Sequence, residues 1–392
     1  MNPINLQRIR GLDGPVLLTG HTGFKGTWMT FLLEKLGVEV IGFSLPPVSQ
    51  SLFDRSKRIG KIRENFANIE NFSSLSKYIH EAKPSAIIHM AAQPLVLDSY
   101  KDALGTFSTN VQGTANLLEA SFHNDFVKSV IVVTTDKVYK NDNSGRRFIE
   151  SDALVGKDPY SASKVGAEAA VAAWQQISKI QGGPRVTSVR AGNVVGGGDF
   201  ASNRLLPDFI RAHMNNEKLS VRNPSSTRPW QHVLDPLSGY LMALEANLSG
   251  LEINSVNFGP PAQSLSVSEV IKIATESWPT RVEIELGEVQ TNPSAEAEEL
   301  NLDSTFASEK LGWQPHWSQE KSIISTIEWW DSVINKGVSS DDACGYDISQ
   351  LNFKSLLMPQ PRRRIFFRQQ TQFVFLPQCI HRLPKIMMSI CH

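Results

Sequence analysis

Tyr160 and Lys164 stand four residues apart in the run Asp158-Pro159-Tyr160-Ser161-Ala162-Ser163-Lys164. Pro159 suits the first turn of a helix, and residues four apart on a helix share one face. A free tyrosine, with a pKa of about 10, is a poor base near neutrality. A lysine ammonium one turn away favours the phenolate, as would a positively charged cofactor ring. The pair then makes a base able to take a hydroxyl proton while hydride leaves the same carbon. A second polar cluster, Thr134-Thr135-Asp136-Lys137, ends a continuously apolar run, Val130-Ile131-Val132-Val133. Such a run reads as the middle of a parallel sheet. Polar residues at its carboxyl end point into the ligand crevice, although a simple loop cap is the alternative.

The elements that must position these groups begin with Val16-Leu17-Leu18, a short buried strand. Gly20, Gly23 and Gly26 follow at three-residue spacing, then Trp28 to Leu36 with apolar residues at helical intervals. Strand, glycine turn and helix form the first unit of a dinucleotide-binding fold. A pyrophosphate there rests on backbone N–H groups at the helix N-terminus, where a β-carbon would block it. An ordinary glycine-rich strand–helix turn is the competing reading. An acidic residue is expected near the end of the second strand, Val38 to Phe43, to hold the ribose hydroxyls. Gly42, Phe43 and Ser44 stand there instead. Arg55, Lys57 and Arg58 could tolerate a 2′-phosphate or simply face water, which leaves NAD and NADP both open.

Further strands are expected at Glu64 to Glu70, Ala86 to Met90, Val186 to Val189 and Asn254 to Gly259. Helices are expected at Ser73 to Ala82, Thr109 to Ser121, Leu234 to Asn247 and Ser266 to Ser277. Small residues in Ala91-Ala92-Gln93-Pro94 let backbone lie against a flat ligand. The pattern predicts a Rossmann-type, doubly wound parallel α/β sheet over residues 12–189, with 233–259 returning to it. Residues 190–232 and 260–335 form a smaller α/β lobe. Asn193, Arg204 and Arg228 fall in its loops. Guanidinium groups match phosphate oxygens in pairs, so these three are candidates for a second diphosphate; scattered surface arginines are the alternative. Residues 352–392 contain no Asp, Glu or Gly but include Arg362-Arg363-Arg364. They read as a disordered or weakly packed basic extension.

Lys+Arg and Asp+Glu both number 39, so the net charge is zero, which argues against a nucleic-acid partner. The three cysteines, Cys344, Cys379 and Cys391, form neither a disulfide framework nor a zinc pattern. No metal is expected, and the setting reads as reducing and cytoplasmic. The N-terminal residues lack the apolar core of a signal peptide. No apolar run is long enough to cross a bilayer.

Several runs resemble the CDP-glucose 4,6-dehydratases, a family of extended short-chain dehydrogenase/reductases. They are Thr19-Gly20-His21-Thr22-Gly23-Phe24-Lys25-Gly26, His89-Met90-Ala91-Ala92-Gln93-Pro94-Leu95-Val96, Arg190-Ala191-Gly192-Asn193-Val194-Val195-Gly196-Gly197-Gly198-Asp199 and Arg228-Pro229-Trp230-Gln231-His232-Val233. The likeness spans residues 12–335. It implies an internal NAD redox cycle on a nucleotide sugar, CDP-glucose. Tyr160 would take the C4 hydroxyl proton, Thr134 would bond the C4 oxygen, and Asp136 would be the acid for the departing C6 hydroxyl. Lys137 stands where dTDP- and GDP-sugar dehydratases commonly carry glutamate, and is the candidate C5 base. The cofactor set is Gly20, Thr22, Gly23, Phe24, Lys25, Gly26, Ala91, Ala92, Gln93 and Asn110, with Tyr160 and Lys164. A homodimer paired through helices flanking the sheet, including the one bearing Tyr160, is also implied. A nucleotide-sugar epimerase, a dehydratase for another nucleotide sugar and a dinucleotide-sensing scaffold are the alternatives. Asp136-Lys137 favours dehydration, because elimination needs an acid and a base. The Tyr160/Lys164 pair weighs against the scaffold.

Overall fold

Seven short strands frame the computed structural model, which describes residues 6–221, 223–260, 264–279, 283–286 and 300–351. They are Val16–Thr19 (β1), Val40–Ser44 (β2), Arg63–Phe66 (β3), Ala86–His89 (β4), Ser129–Val133 (β5), Arg185–Ala191 (β6) and Ser255–Phe258 (β7). They form one sheet in the order β7-β6-β5-β4-β1-β2-β3. Every neighbouring pair is parallel. β1, β4 and β5 are buried at every position, as strands covered on both faces must be. Leu18, Ile88, Ile131 and Val189 enter one apolar layer. Leu17, Ile87, Val130 and Val186 enter the other. The strand order reverses between β1 and β4, which opens a crevice beyond their carboxyl ends. This is the expected Rossmann-type sheet.

Helix α1, Phe24–Lys35, follows β1 directly. Helix α2, Phe72–Ala82, is capped by Asn71, whose side chain accepts the Ser74 N–H, rather than by Ser73. The helix expected from Thr109 begins instead as a π-type turn, Ser108–Gln112, which runs into α3, Gly113–Phe122. Helix α4, Pro159–Gln181, starts with a reciprocal Asp158/Ser161 capping box, which holds its first turn and so fixes where Tyr160 points.

Beyond β6 the chain makes small parallel and antiparallel pairings. Asn193–Val195 lies beside Trp230–His232, Leu219–Val221 beside Ile284–Leu286, and Thr227–Arg228 against Leu265–Ser266. Helix α5, Leu205–Asn215, and helix α6, Leu234–Ser249, pack among them. The boundary expected at residue 189 falls inside β6, which continues to Ala191. The lobe is not a body apart: the described residues fall in one compact unit. One apolar core runs from Leu18 and Trp28 through Leu241 to Trp313 and Trp330. A further helix, Ser340–Gln350, buries Ala343, Cys344 and Ile348. Residues 352–392, read from sequence as a loose extension, lie outside the described residues, as does most of Glu296–Leu300. Among the described residues no helix is long and apolar enough to cross a membrane.

Candidate active site

The first loop brings β1, β4 and α1 together. Gly20 has φ +72°, and a β-carbon there would lie 2.7 Å from the Ala91 nitrogen. A β-carbon on Gly26 would lie 2.1 Å from the Gly20 carbonyl oxygen. Both glycines are demanded by backbone packed on backbone. Gly23 differs. It is the residue before α1, and a β-carbon there would meet only the Gly20 oxygen, at 3.3 Å. Its missing side chain therefore leaves room outside the protein, at a helix N-terminus, where an anion is stabilised. Thr22 holds the loop to the end of β2: its hydroxyl lies 2.7 Å from the Ser44 hydroxyl and donates to the Leu45 carbonyl. The Phe24 ring sits beside Gly196.

Ala91, Ala92 and Gln93 leave β4 against this loop, with the Ala91 N–H donating to the Thr19 hydroxyl. Asn110, expected to touch the cofactor, is fully buried with its amide spent on protein. It accepts the Gln93 N–H at 2.8 Å and donates to the Gln93 carbonyl and to the Ser163 hydroxyl. Ser163 donates in turn to the Tyr160 carbonyl. Asn110 thus ties the 91–93 loop to α4 and acts by position. The Gln93 side chain is likewise turned to Leu95 and Thr106.

Tyr160 and Lys164 share the inner face of α4, as their spacing predicts, and both are buried. The Lys164 ammonium donates to the Val133 carbonyl at 3.1 Å, the last residue of β5. Burial pushes it down to about 8, against the pull of the Glu168 carboxylate. Burial also pushes the Tyr160 phenol up to about 12. The nearby Thr135 side chain and the Arg204 guanidinium act the other way. Desolvation, not the lowering expected from Lys164, sets the direction of the phenol's shift.

Thr134 is not where sequence reasoning puts it. Its hydroxyl donates to Glu168 at 2.6 Å, away from the phenol. Thr135 faces the centre instead: its hydroxyl donates to Asp136 at 2.9 Å, and its side chain lies near enough to the Tyr160 phenol to lower it. Neighbouring residues of an extended chain point to opposite faces, so a one-residue error reverses the assignment. Asp136 is buried, and burial raises its carboxyl, opposed by the Lys137 ammonium, the Thr135 hydroxyl and Arg228. Lys137 itself is half-buried.

The lobe closes over this centre. A β-carbon on Gly192 would lie 3.0 Å from an Asp136 carboxylate oxygen, so Asn193 follows a backbone in contact with the acid. Arg204, the residue before α5, pairs with Asp199 at 3.0 Å, and its charge reaches both Lys25 and Tyr160. Arg228 is buried and its charge reaches Asp136. Lys25, two residues into α1, donates to the Tyr240 hydroxyl at 3.2 Å. Sequence reasoning missed Thr135, Gly192 and Tyr240. Gly192 had a signal, since it stands in one of the matched runs. Tyr240 had none, because a tyrosine in an apolar helix looks like core.

Residues 16–259 match the model of the NAD dependent epimerase/dehydratase family. The chain belongs to that family. It is 39% identical over 329 residues to a CDP-glucose 4,6-dehydratase of Salmonella typhimurium, covering 80% of this chain and 89% of the relative. It is 25% identical over 333 residues to a dTDP-glucose 4,6-dehydratase of Xanthomonas campestris, covering 80% and 92%. A UDP-glucose 4-epimerase from Thermotoga maritima superposes with TM-score 0.70 at 21% identity, covering 82% of this chain and 99% of the epimerase. A dTDP-glucose 4,6-dehydratase from Streptomyces venezuelae, solved with NAD bound, gives 0.69 at 23%, covering 83% and 99%. At such identities the two solved structures speak for the fold alone.

NAD is the cofactor of this epimerase/dehydratase family, and the residues present fit it. The cradle at Gly23 is open, since a β-carbon there would meet only the Gly20 oxygen. Two of the three basic residues that left NADP open are engaged elsewhere. Arg58 is buried, paired with Glu34 and stacked on Phe31. Arg55 lies over Phe200 and Trp330 and bonds Gln50.

Proposed function

We propose that the protein is a nucleotide-sugar 4,6-dehydratase converting CDP-glucose to CDP-4-keto-6-deoxyglucose. Asp136 carries the reading. Burial favours its neutral acid form, and the Thr135 hydroxyl donates to it at 2.9 Å beside the phenol that serves as base. Loss of water from C6 needs such an acid, whereas epimerisation at C4 does not. Likeness to the Salmonella enzyme supports the choice of sugar nucleotide.

Held at the Gly23 cradle, NAD would supply the hydride chemistry at C4 and C6. Tyr160 Oη takes the C4 hydroxyl proton, and Lys164, held on the Val133 carbonyl, adds positive charge beside it. The C4 ketone acidifies the C5 hydrogen, which Lys137 removes. Asp136 gives its proton to the C6 oxygen, and water leaves. Arg204 and Arg228 hold the substrate diphosphate, with Asn193 beside them. The chain works in the cytoplasm as a homodimer. Exposed Leu97, Tyr100, Leu104 and Phe107 support the pairing, since their two short helices, Val96–Lys101 and Ala103–Phe107, pack on α4.

The test is incubation with NAD and, separately, CDP-, dTDP-, GDP- and UDP-glucose. CDP-glucose is expected to yield a 4-keto product, seen by absorbance in alkali and by loss of water in the mass spectrum. A C4 epimer without water loss would make the protein an epimerase. No product from any of the four would leave the dinucleotide-binding scaffold.

A further inference from the structure

Three buried polar residues meet at the sheet's carboxyl end and take no part in the chemistry proposed above. Thr19 ends β1 and His89 ends β4, side by side in register. Thr114 lies in the first turn of α3. All three are almost wholly buried, so their polar atoms need partners inside the protein. Their hydrogen bonds run in one direction only. A carbonyl can only accept, so the Thr114 hydroxyl gives its proton to the Asn110 carbonyl, 2.6 Å away. Thr114 Oγ1 must then accept from His89 Nε2 at 3.1 Å. Burial, with the Lys164 ammonium, pushes the His89 ring down to about 3 from 6.5, so it is neutral and its single proton is on Nε2. Nδ1 is left as an acceptor, and the Thr19 hydroxyl donates to it at 2.6 Å. The other end agrees. The Met90 and Ala91 N–H groups can only donate, and both reach Thr19 Oγ1 at 3.2 Å.

Asn110 carries the chain onward. Its side chain accepts from the Gln93 N–H and donates to Ser163 Oγ, which donates to the Tyr160 carbonyl. We propose that His89 is a positioning residue for Tyr160: with its proton on Nε2, the imidazole sets the direction of a hydrogen-bond chain that joins the loop after β4 to the helical turn bearing the phenol. The inference rests on Tyr160 being the base of the proposed reaction. An aliphatic side chain at position 89 would leave the Thr19 proton and a Thr114 lone pair without their partner inside the protein. A ring protonated on both nitrogens would set Nδ1–H against the Thr19 proton. Either change cuts the link between the sheet and the segment carrying Asn110 and Thr114, and the Tyr160 turn hangs from Asn110. No group that touches the sugar is altered. A glutamine amide offers both an acceptor and a donor, so it can take both places of the ring.

His89→Leu cuts the chain and His89→Gln restores it. Thr114→Val and Thr114→Ser do the same one step further on, and carry the test should the leucine variant fail to fold. Turnover of CDP-glucose is measured at saturating NAD, and affinity for CDP-glucose by calorimetry. His89→Leu and Thr114→Val are expected to lower kcat on the order of 10²-fold, the cost of about 1 Å of misplacement set from outside the reacting groups. Their KM and affinity for CDP-glucose should stay those of the parent, and His89→Gln and Thr114→Ser should recover most of kcat. Nitrogen NMR of the parent, labelled at histidine, is expected to show His89 neutral with its proton on Nε2 at pH 6, where an ordinary histidine is mostly charged. Loss of that signal in His89→Gln assigns it. The proposal is overturned if His89 carries its proton on Nδ1, or on both nitrogens, at pH 6. It is overturned equally if the folded leucine and valine variants turn over as fast as the parent at saturating substrate, or if His89→Gln and Thr114→Ser are as slow as they are. Failure of the parent on all four nucleotide sugars would sink the dehydratase reading instead, and the NMR measurement would still decide the chain.

Discussion

Glu168→Gln keeps the shape of a buried side chain and removes its charge. The carboxylate accepts from Thr134 Oγ1 at 2.6 Å, Ser188 Oγ at 2.8 Å, Arg190 Nε at 2.8 Å and Arg190 Nη2 at 2.9 Å. Glu168 and Arg190 are both almost wholly buried. Taking one charge away leaves the guanidinium in low dielectric without its counter-ion, which costs about 3–5 kcal/mol. For a chain of this size that lowers the thermal midpoint by about 4–7 °C. Replacing both, Glu168→Gln with Arg190→Met, leaves no unpaired charge and should recover most of the loss. The pH dependence has a definite sign. Arg190, with the Thr134 and Ser188 hydroxyls, holds the Glu168 carboxyl below its ordinary 4.5 despite burial. Its stabilisation is therefore complete above 4.5 and lost as pH falls through the native pKa. The gap between parent and Glu168→Gln should narrow only on that acid side. Scanning fluorimetry of parent, single and double variants across pH measures all three claims. A single variant as stable as the parent, or a double variant no better than the single, refutes the reasoning.

Lys25 gives a prediction of opposite sign. Burial, helped by Arg204 and Lys164 and opposed by Asp136, pushes its ammonium down to about 7 from 10.5. The native state therefore resists its charge: the penalty is full below 7 and fades as pH rises to 10.5. Lys25→Met, measured without substrate, should raise the thermal midpoint at pH 6 by the equivalent of about 3–5 kcal/mol, with the gain vanishing towards pH 10.5. An unchanged midpoint at pH 6 would refute it. Gly23→Ala should fold normally yet lose NAD affinity by calorimetry, because its new methyl meets little protein and much ligand. Gly26→Ala should instead lower the midpoint even without cofactor, and equal effects of the two would overturn the loop assignment. Leu104→Glu should turn a dimer into monomers in sedimentation, with the fold intact by circular dichroism; an unchanged dimer would move the interface elsewhere.

Much of this site was legible because its signals are periodic or local. Buried runs such as Val16-Leu17-Leu18 and Val130-Ile131-Val132-Val133 can only be central strands in a parallel sheet. Three glycines at fixed spacing mark a turn that a backbone must approach closely. The four-residue interval between Tyr160 and Lys164 is a helical face. What escaped was parity and partner. Once β5 ends at Val133, nothing in Thr134-Thr135 says which hydroxyl faces the crevice. That choice belongs to Glu168, which arrives on α4, is paired with Arg190 of β6 and accepts from Thr134. Asn110 has the residue type of a ligand contact, but the π-type turn at Ser108–Gln112 aims its amide at Gln93 and Ser163. Lys25 and Tyr240 meet across 215 positions of chain, a separation over which no periodicity operates.

The division of labour between Thr134 and Thr135 explains how a reaction centre can be both buried and precisely placed. Tyr160, Lys164 and Glu168 make one stripe along α4, at successive helical turns. Its last member is bound to Thr134, the residue after β5, and to β6 through Ser188 and Arg190. Its middle member is bound to the Val133 carbonyl of β5. The helix is thus fastened to the sheet at two points on one side of Tyr160, while Asp158 and Ser161 fix the turn on the other side. Tyr160 has little freedom left except at its hydroxyl, which lies near the Thr135 side chain. Loosening the Glu168 anchor should therefore disturb proton transfer at Tyr160 some two helical turns away, without any change in the residues that touch the sugar.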